Sequence, residues 1–186
     1  MLETAEIWDR SLFLLLNGIH NEYLDHFMVF VSGKLEWIPL YLLLLILLVR
    51  KYKKNVWLPL IAVGVVIVLA DQTSVQLFKE VFERYRPCHN LEIKDAVHLV
   101  NNKCGGKFGF VSSHATNTFA LAVLVGLFLK RKVFFFLLAW ATIVSYSRIY
   151  LGVHYPSDVL CGAALGSALA LIVYRITHPI LGNKLQ

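Results

Sequence analysis

Long apolar blocks alternate with short polar breaks along nearly the whole sequence, a pattern that belongs to helices in a bilayer. The first block is an exception. Ile7, Trp8, Leu12, Phe13 and Leu16 recur at helical spacing among polar positions, and Asn17-Gly18 supplies a stop. A stretch of about 12 to 15 residues is too short to cross and predicts an interfacial helix. Five spans are predicted beyond it. The first is Leu35 to Val49, preceded by apolar Leu24 to Val31 across the break Ser32-Gly33-Lys34. The others are Val56 to Phe82, Ser113 to Leu129, Val133 to Tyr150 and Pro156 to Tyr174. The expected fold is an all-α membrane protein, a bundle of about five transmembrane helices plus an N-terminal interfacial helix, forming one integral-membrane domain over 1–186.

Composition agrees with this pattern. The 186 residues are 58% apolar and 16% charged, too little polar surface to cover a soluble globule of this size. Met1 to Asp9 carry Glu3, Glu6 and Asp9 in place of a basic region, unlike a cleavable signal peptide. The net charge of +6 does not point to nucleic acid, because no recognition module is present and the cations sit in short runs beside apolar segments. Arg50, Lys51, Lys53 and Lys54 end the first span and Lys130, Arg131 and Lys132 end the third, which predicts both turns on the cytoplasmic side. Counted with Arg175 and Lys184, that side holds nine cations against nine opposite, but the inner ones are denser and lie in shorter loops.

In that order of spans, the polar ends of the second to fifth converge on one face. Lys79 and Arg86 lie seven apart, about two helical turns, at the end of the second. Ser112-Ser113-His114 opens the third, and Ser147-Arg148 through His154, Tyr155, Pro156, Ser157 and Asp158 joins the fourth to the fifth. Three strong cations facing one place point to an anion. Arginine forks and a lysine point charge suit phosphate oxygens, and hydroxyls or amides at a helix N-terminus add donors. Anion binding alone would not require two histidines and a carboxylate. If Pro156 opens a helix, Asp158 can accept from one ring nitrogen of His154 and leave the other free to attack, while His114 protonates a leaving oxygen.

These segments resemble the three signature motifs of the type 2 phosphatidic acid phosphatase superfamily of lipid phosphate phosphatases, which includes vanadium haloperoxidases. Lys79 and Arg86-Pro87 match its pattern of Lys, six residues, Arg-Pro. Ser147-Arg148, His154 and Asp158 match Ser-Arg, five residues, His, three residues, Asp. The middle pattern, Pro-Ser-Gly-His, is met by Ser112 and His114, with Val111 and Ser113 standing where the family has proline and glycine. The resemblance implies His154 as nucleophile, Asp158 as its orienting partner, His114 as general acid, and Lys79, Arg86, Ser112 and Arg148 as phosphate ligands. Ser113 joins that ligand set through its amide. His20, His26, His89, His98 and His178 are read as packing or interfacial histidines. Arg84, Tyr85, Tyr150 and Tyr155 are candidates to line the mouth for a headgroup, and Asp71 fits either the pocket or helix packing.

Cys88 and Cys104 bracket the loop after the second span. Zinc ligation with His89 and His98 lacks a paired Cys-x-x-Cys or His-x-x-x-His unit, so a disulfide is expected, which an extracytoplasmic loop permits. Cys161 is expected as a free buried thiol. The chain is thus read as a metal-independent, cofactor-free membrane hydrolase working through a phosphohistidine. It would lie in a bacterial inner membrane with its site on the periplasmic side, act on a phosphorylated lipid among membrane lipids, and have no nucleic-acid partner. Undecaprenyl diphosphate, phosphatidylglycerophosphate, phosphatidate and the 1-phosphate of lipid A are candidate substrates. Lipid-to-lipid phosphoryl transfer, and lipid-phosphate binding or transport without turnover, are the alternatives.

Overall fold

The computed structural model describes residues 2–185, with side chains over 4–181; Met1 and the side chains of Glu3 and Lys184 lie outside that set. Seven helices carry the described fold: α1 (Leu2–Asn17), α2 (Glu22–Ser32), α3 (Ile38–Tyr52), α4 (Trp57–Phe82), α5 (Ser113–Phe128), α6 (Arg131–Tyr150) and α7 (Pro156–Leu185). The strand-like feature among the described residues is an isolated pairing of Tyr85 with Phe108. By length and composition α4, α6 and the Pro156–Leu181 part of α7, of 26, 20 and 26 residues, can cross a membrane. Twenty residues rise about 30 Å, the thickness of a hydrocarbon core.

Two of the five expected spans take another form. The Glu22–Ser32 helix and the Leu35–Asn55 segment meet at 72°, so they make one crossing only as a broken pair. Gly33 closes α2 by donating to the Phe30 carbonyl, and Pro39 in the first turn of α3 brings no amide to continue it. The Ser113–Phe128 helix has 16 residues, about 24 Å. It is short because it is central. Ala115, Thr116, Ala120, Ala122, Leu124, Val125 and Phe128 are buried around it, so other helices form most of its surroundings.

That burial depends on glycines in α7. A Cβ at Gly162 would lie 2.7 Å from the Ser112 carbonyl oxygen, and one at Gly166 would lie 2.1 Å from that of Thr116. The two backbones therefore approach as only glycine allows. Cys161, next to Gly162, is consequently turned outward. It is free, as expected, but exposed where a buried position was expected.

The basic turns share one end of the bundle. Lys51 Nζ and Tyr52 Oη donate to the Phe128 carbonyl at 2.7 and 2.9 Å, satisfying the end of α5 and placing a cation at its negative pole. At the opposite end α1 is tied down by Asn17. Its amide donates to the Tyr150 and His98 carbonyls at 2.7 and 3.0 Å, and its oxygen accepts from the His98 amide at 2.8 Å. Ile7, Trp8 and Leu15 on the other side of α1 stay exposed.

A methyl group at position 166 must push α5 from α7. Gly166→Ala is expected to lower stability by about 1–3 kcal/mol, as overpacking does, read as a fall in the thermal midpoint in detergent. Gly64, with nothing within 4 Å of a built Cβ, is the control, and Gly64→Ala is expected to leave the midpoint unchanged or raise it.

Candidate functional site

The site begins where α4 loses its regular winding. Thr73–Lys79 is π-helical, and at Glu83 the backbone turns left-handed (φ 45°) and the helix stops. Arg86 therefore does not sit two helical turns beyond Lys79, as the spacing suggested. It lies in the loop, held extended by the following proline (φ −64°, ψ 156°). Its amide donates to the Lys107 carbonyl at 3.1 Å, and its guanidinium donates to the Phe108 and Cys104 carbonyls at 3.2 and 3.3 Å. Cys88 and Cys104 are disulfide-bonded with their Cα atoms 5.9 Å apart, which pins the Cys104 carbonyl beside Arg86. The grouping of three potential metal ligands among the described residues, Cys88, His89 and Cys104, has both sulfurs in that bond.

Ser112 precedes α5 without capping it. A serine there usually accepts from an amide of the first turn, but here its hydroxyl is buried with no partner within the protein, and the first-turn amides stay unclaimed by it. Its own amide donates to the Asp158 carbonyl at 3.0 Å. Ser113, in the glycine's place, accepts from Lys79 Nζ at 2.7 Å and shares a 2.7 Å hydrogen bond with Ser74. The serine thus anchors the lysine, a contact glycine could not make.

Arg148 closes α6. One nitrogen donates to Ser32 at the bend between α2 and α3, while its Nε is buried without a protein partner. The Arg148 carbonyl accepts the amides of Val153 and His154, both at 3.2 Å, folding the chain back through Gly152. That residue has φ +79°, and a Cβ there would meet the His98 carbonyl oxygen at 2.7 Å, so glycine is required twice over. His154 is 2% exposed and Asp158 0%. His154 Nδ1 lies 3.4 Å from Asp158 Oδ2, which also accepts the Tyr155 amide at 3.0 Å. Burial pushes the His154 imidazole down to about 4 against the opposing pull of Asp158, so the ring is neutral at any higher pH.

Lys79, Arg86, Ser113, His114, Arg148 and His154 line one cavity of about 620 Å³. Asp158 stands behind His154, and Ser112 is absent from the cavity wall. Asp71 is on the wall, accepting from Asn117 at 3.4 Å, and so belongs to the pocket. Below the charged end the same cavity continues between Trp37, Tyr41, Leu44, Leu60, Val63 and Trp140. Of the proposed mouth residues, Tyr150 and Tyr155 are buried, and Arg84 turns away to Asp158 and Asp9. Arg84, Tyr85 and Tyr155 border a separate cavity of about 180 Å³.

Sequence reasoning passed over three contributors. Lys34 lines the cavity from the bend before α3. Asp9 reaches Arg84 and Ser157 from α1. Gly109 packs so closely that a Cβ there would lie 3.1 Å from Arg86 Cγ and 3.2 Å from Asp158 Oδ2.

The chain is similar to known proteins along most of its length. The chain is 38% identical over 183 residues to the lipid A 4'-phosphatase of Bacteroides thetaiotaomicron, covering 97% of this chain and 81% of that protein. It is 37% identical to the lipid A 4'-phosphatase of Porphyromonas gingivalis, covering 90% and 72%, and 30% identical to an undecaprenyl-diphosphatase of Sulfolobus acidocaldarius, covering 91% and 80%. Among solved structures, Aquifex aeolicus LpxE superposes with a TM-score of 0.65 at 26% identity, over 89% of this chain and 93% of that one. The PAP2-type phosphatidylglycerolphosphate phosphatase of Bacillus subtilis superposes with 0.72 at 24%, over 95% and 88%, a likeness of fold. The PAP2 superfamily profile matches residues 56–180, which span every motif residue from Lys79 to Asp158, and the chain belongs to that superfamily.

Proposed function

We propose that this protein is a lipid phosphate phosphatase that removes the 4'-phosphate of lipid A without a metal ion. The observation that carries the reading is the single cavity, cationic at one end and apolar along the helices, which suits a phosphate esterified to a lipid. The sequence pointed to lipid A only through its 1-phosphate. Relatives at 37–38% identity named for the 4'-phosphate favour the other position.

In this reading the Nε2 of neutral His154 attacks phosphorus and the bond to the lipid oxygen breaks. That oxygen takes a proton from His114, and water then hydrolyses the phosphohistidine. Asp158 holds Nδ1–H so that Nε2 carries the lone pair. Lys79, Arg86, Arg148 and the first-turn amides of α5 take the equatorial oxygens, supplying the charge neutralisation that a metal supplies elsewhere. The disulfide beside Arg86 supports a site outside the cytoplasm, in the periplasmic leaflet of an inner membrane.

Two measurements test this. Purified protein is offered lipid A, undecaprenyl diphosphate and phosphatidylglycerophosphate side by side in chelator. Phosphate release from the 4' position is expected to lead, and His154→Ala to lose about 10³-fold or more. Preference for another lipid, metal-restorable loss in chelator, or an active His154→Ala protein would contradict the corresponding part. The proton NMR titration of the His154 ring is expected to have its midpoint near 4. A midpoint between 6 and 7 would mean a solvated ring, protonated over much of the acidic range and unable to attack there.

A further inference from the structure

Behind the nucleophile pair lies a second layer that the family motifs do not include. Asp158 is fully buried, and its two oxygens are used differently. Oδ2 faces His154 and the Tyr155 amide. Oδ1 accepts from Arg84 at 2.8 Å. The same nitrogen of Arg84 donates to Ser157 Oγ at 2.6 Å, and the other donates to Asp9 Oδ2 at 2.7 Å. The guanidinium carbon lies 4.2 Å from the Tyr155 ring centre. Asp9 in turn accepts the Ser157 amide at 3.0 Å and the Ser157 hydroxyl, so α1 caps the first turn of α7, the turn that carries Asp158. Burial alone would lower the Arg84 guanidinium's hold on its proton, but Asp158 and Asp9 outweigh it and push it up.

We propose that Arg84, clamped by Asp9 of α1, is a positioning residue that holds the Asp158 carboxylate turned toward His154. This rests on the reading of His154 as nucleophile. The physical need is plain. A carboxylate taken wholly out of water is costly unless it is paired, and among the described residues Arg84 is the arginine or lysine within salt-bridging distance of Asp158. Further groups felt around Asp158 are Asp9 from α1, Lys79 from α4, Arg86 from the outer loop, Tyr155 beside it and Cys161 on its own helix. Lys79 and Arg86 line the phosphate cavity, so their charge is shared with the anion held there, whereas Arg84 faces the separate, smaller cavity. Without Arg84 the carboxylate loses the partner of Oδ1 and is free to rotate. Rotation releases Nδ1–H of His154 and with it the tautomer that attacks. Arg84 acts through Asp158 and does not touch the phosphate.

The test is a double-mutant cycle on the full chain in detergent, with phosphate release from lipid A as readout and a thermal melt for each variant. Arg84→Gln is expected to lower kcat about 10²-fold with KM within about threefold, and Arg84→Lys to recover about tenfold of that loss. In an Asp158→Asn background, Arg84→Gln is expected to cost less than about threefold more, because its route of action is already gone. If Arg84→Gln does not fold, Asp9→Asn, which removes half the clamp, is expected to lower kcat about fivefold in the native background and not in Asp158→Asn. Losses that multiply in the double variant, or an Arg84→Gln protein as active as the parent, would overturn the proposal while leaving the nucleophile in place. A parent that releases no phosphate from any lipid would instead defeat the phosphatase reading, and this inference with it.

Discussion

Like charges brought together in an apolar bundle set the terms for the rest of this protein. Lys79, Arg86 and Arg148 line one cavity, and none of them lies within salt-bridging distance of a carboxylate among the described residues. They are held by neutral oxygens: Ser113 for the lysine, the Phe108 and Cys104 carbonyls for Arg86, and Ser32 for Arg148. Pairing each with an acid would be electrostatically easier, but it would cancel the positive potential that draws a phosphate. Asp158, behind the cavity wall, is turned to a histidine and matched by a different arginine. In the proposed reading the site separates two electrostatic tasks, one set of charges for the anion and another for the nucleophile's partner.

Holding mutually repelling groups requires a stiff frame. The close α5–α7 approach at Gly162 and Gly166 fixes the start of α5 against the start of α7, which sets Ser113 and His114 relative to His154. The disulfide does the same for the loop that grips Arg86, and Gly152 makes the tight return that brings His154 beneath Arg148. α1 adds two ties, through Asn17 at its end to the loop and the end of α6 and through Asp9 at its middle to Arg84 and α7.

Much of this was legible in the sequence because bilayer helices and phosphate sites both leave strong local marks. Apolar blocks located the helices, and fixed spacings of Lys, Arg, His and Asp located the cavity wall. What escaped depends on three-dimensional neighbours. The lysine-to-arginine spacing looked helical, but a left-handed Glu83 and a proline after Arg86 break the helix between them. The shortness of α5 follows from packing, which hydropathy does not register. Cys161 was expected inside because it lies in the fifth span, and only the direction of the glycine face decides which residues turn out. Asp9 and Arg84, 75 residues apart, carry no shared pattern along the chain. Ser113 looked like a defect in a glycine motif, yet its hydroxyl anchors Lys79.

The central claim is that His154, through Nε2, is the group that takes the phosphoryl. Rapid quenching at alkaline pH during turnover of phosphorus-labelled lipid, followed by peptide mapping, tests it most directly. Label on the peptide containing His154, absent from His154→Ala protein, is expected. Label on Ser112 or Ser113, or steady turnover with no labelled peptide at any quench time, would contradict it.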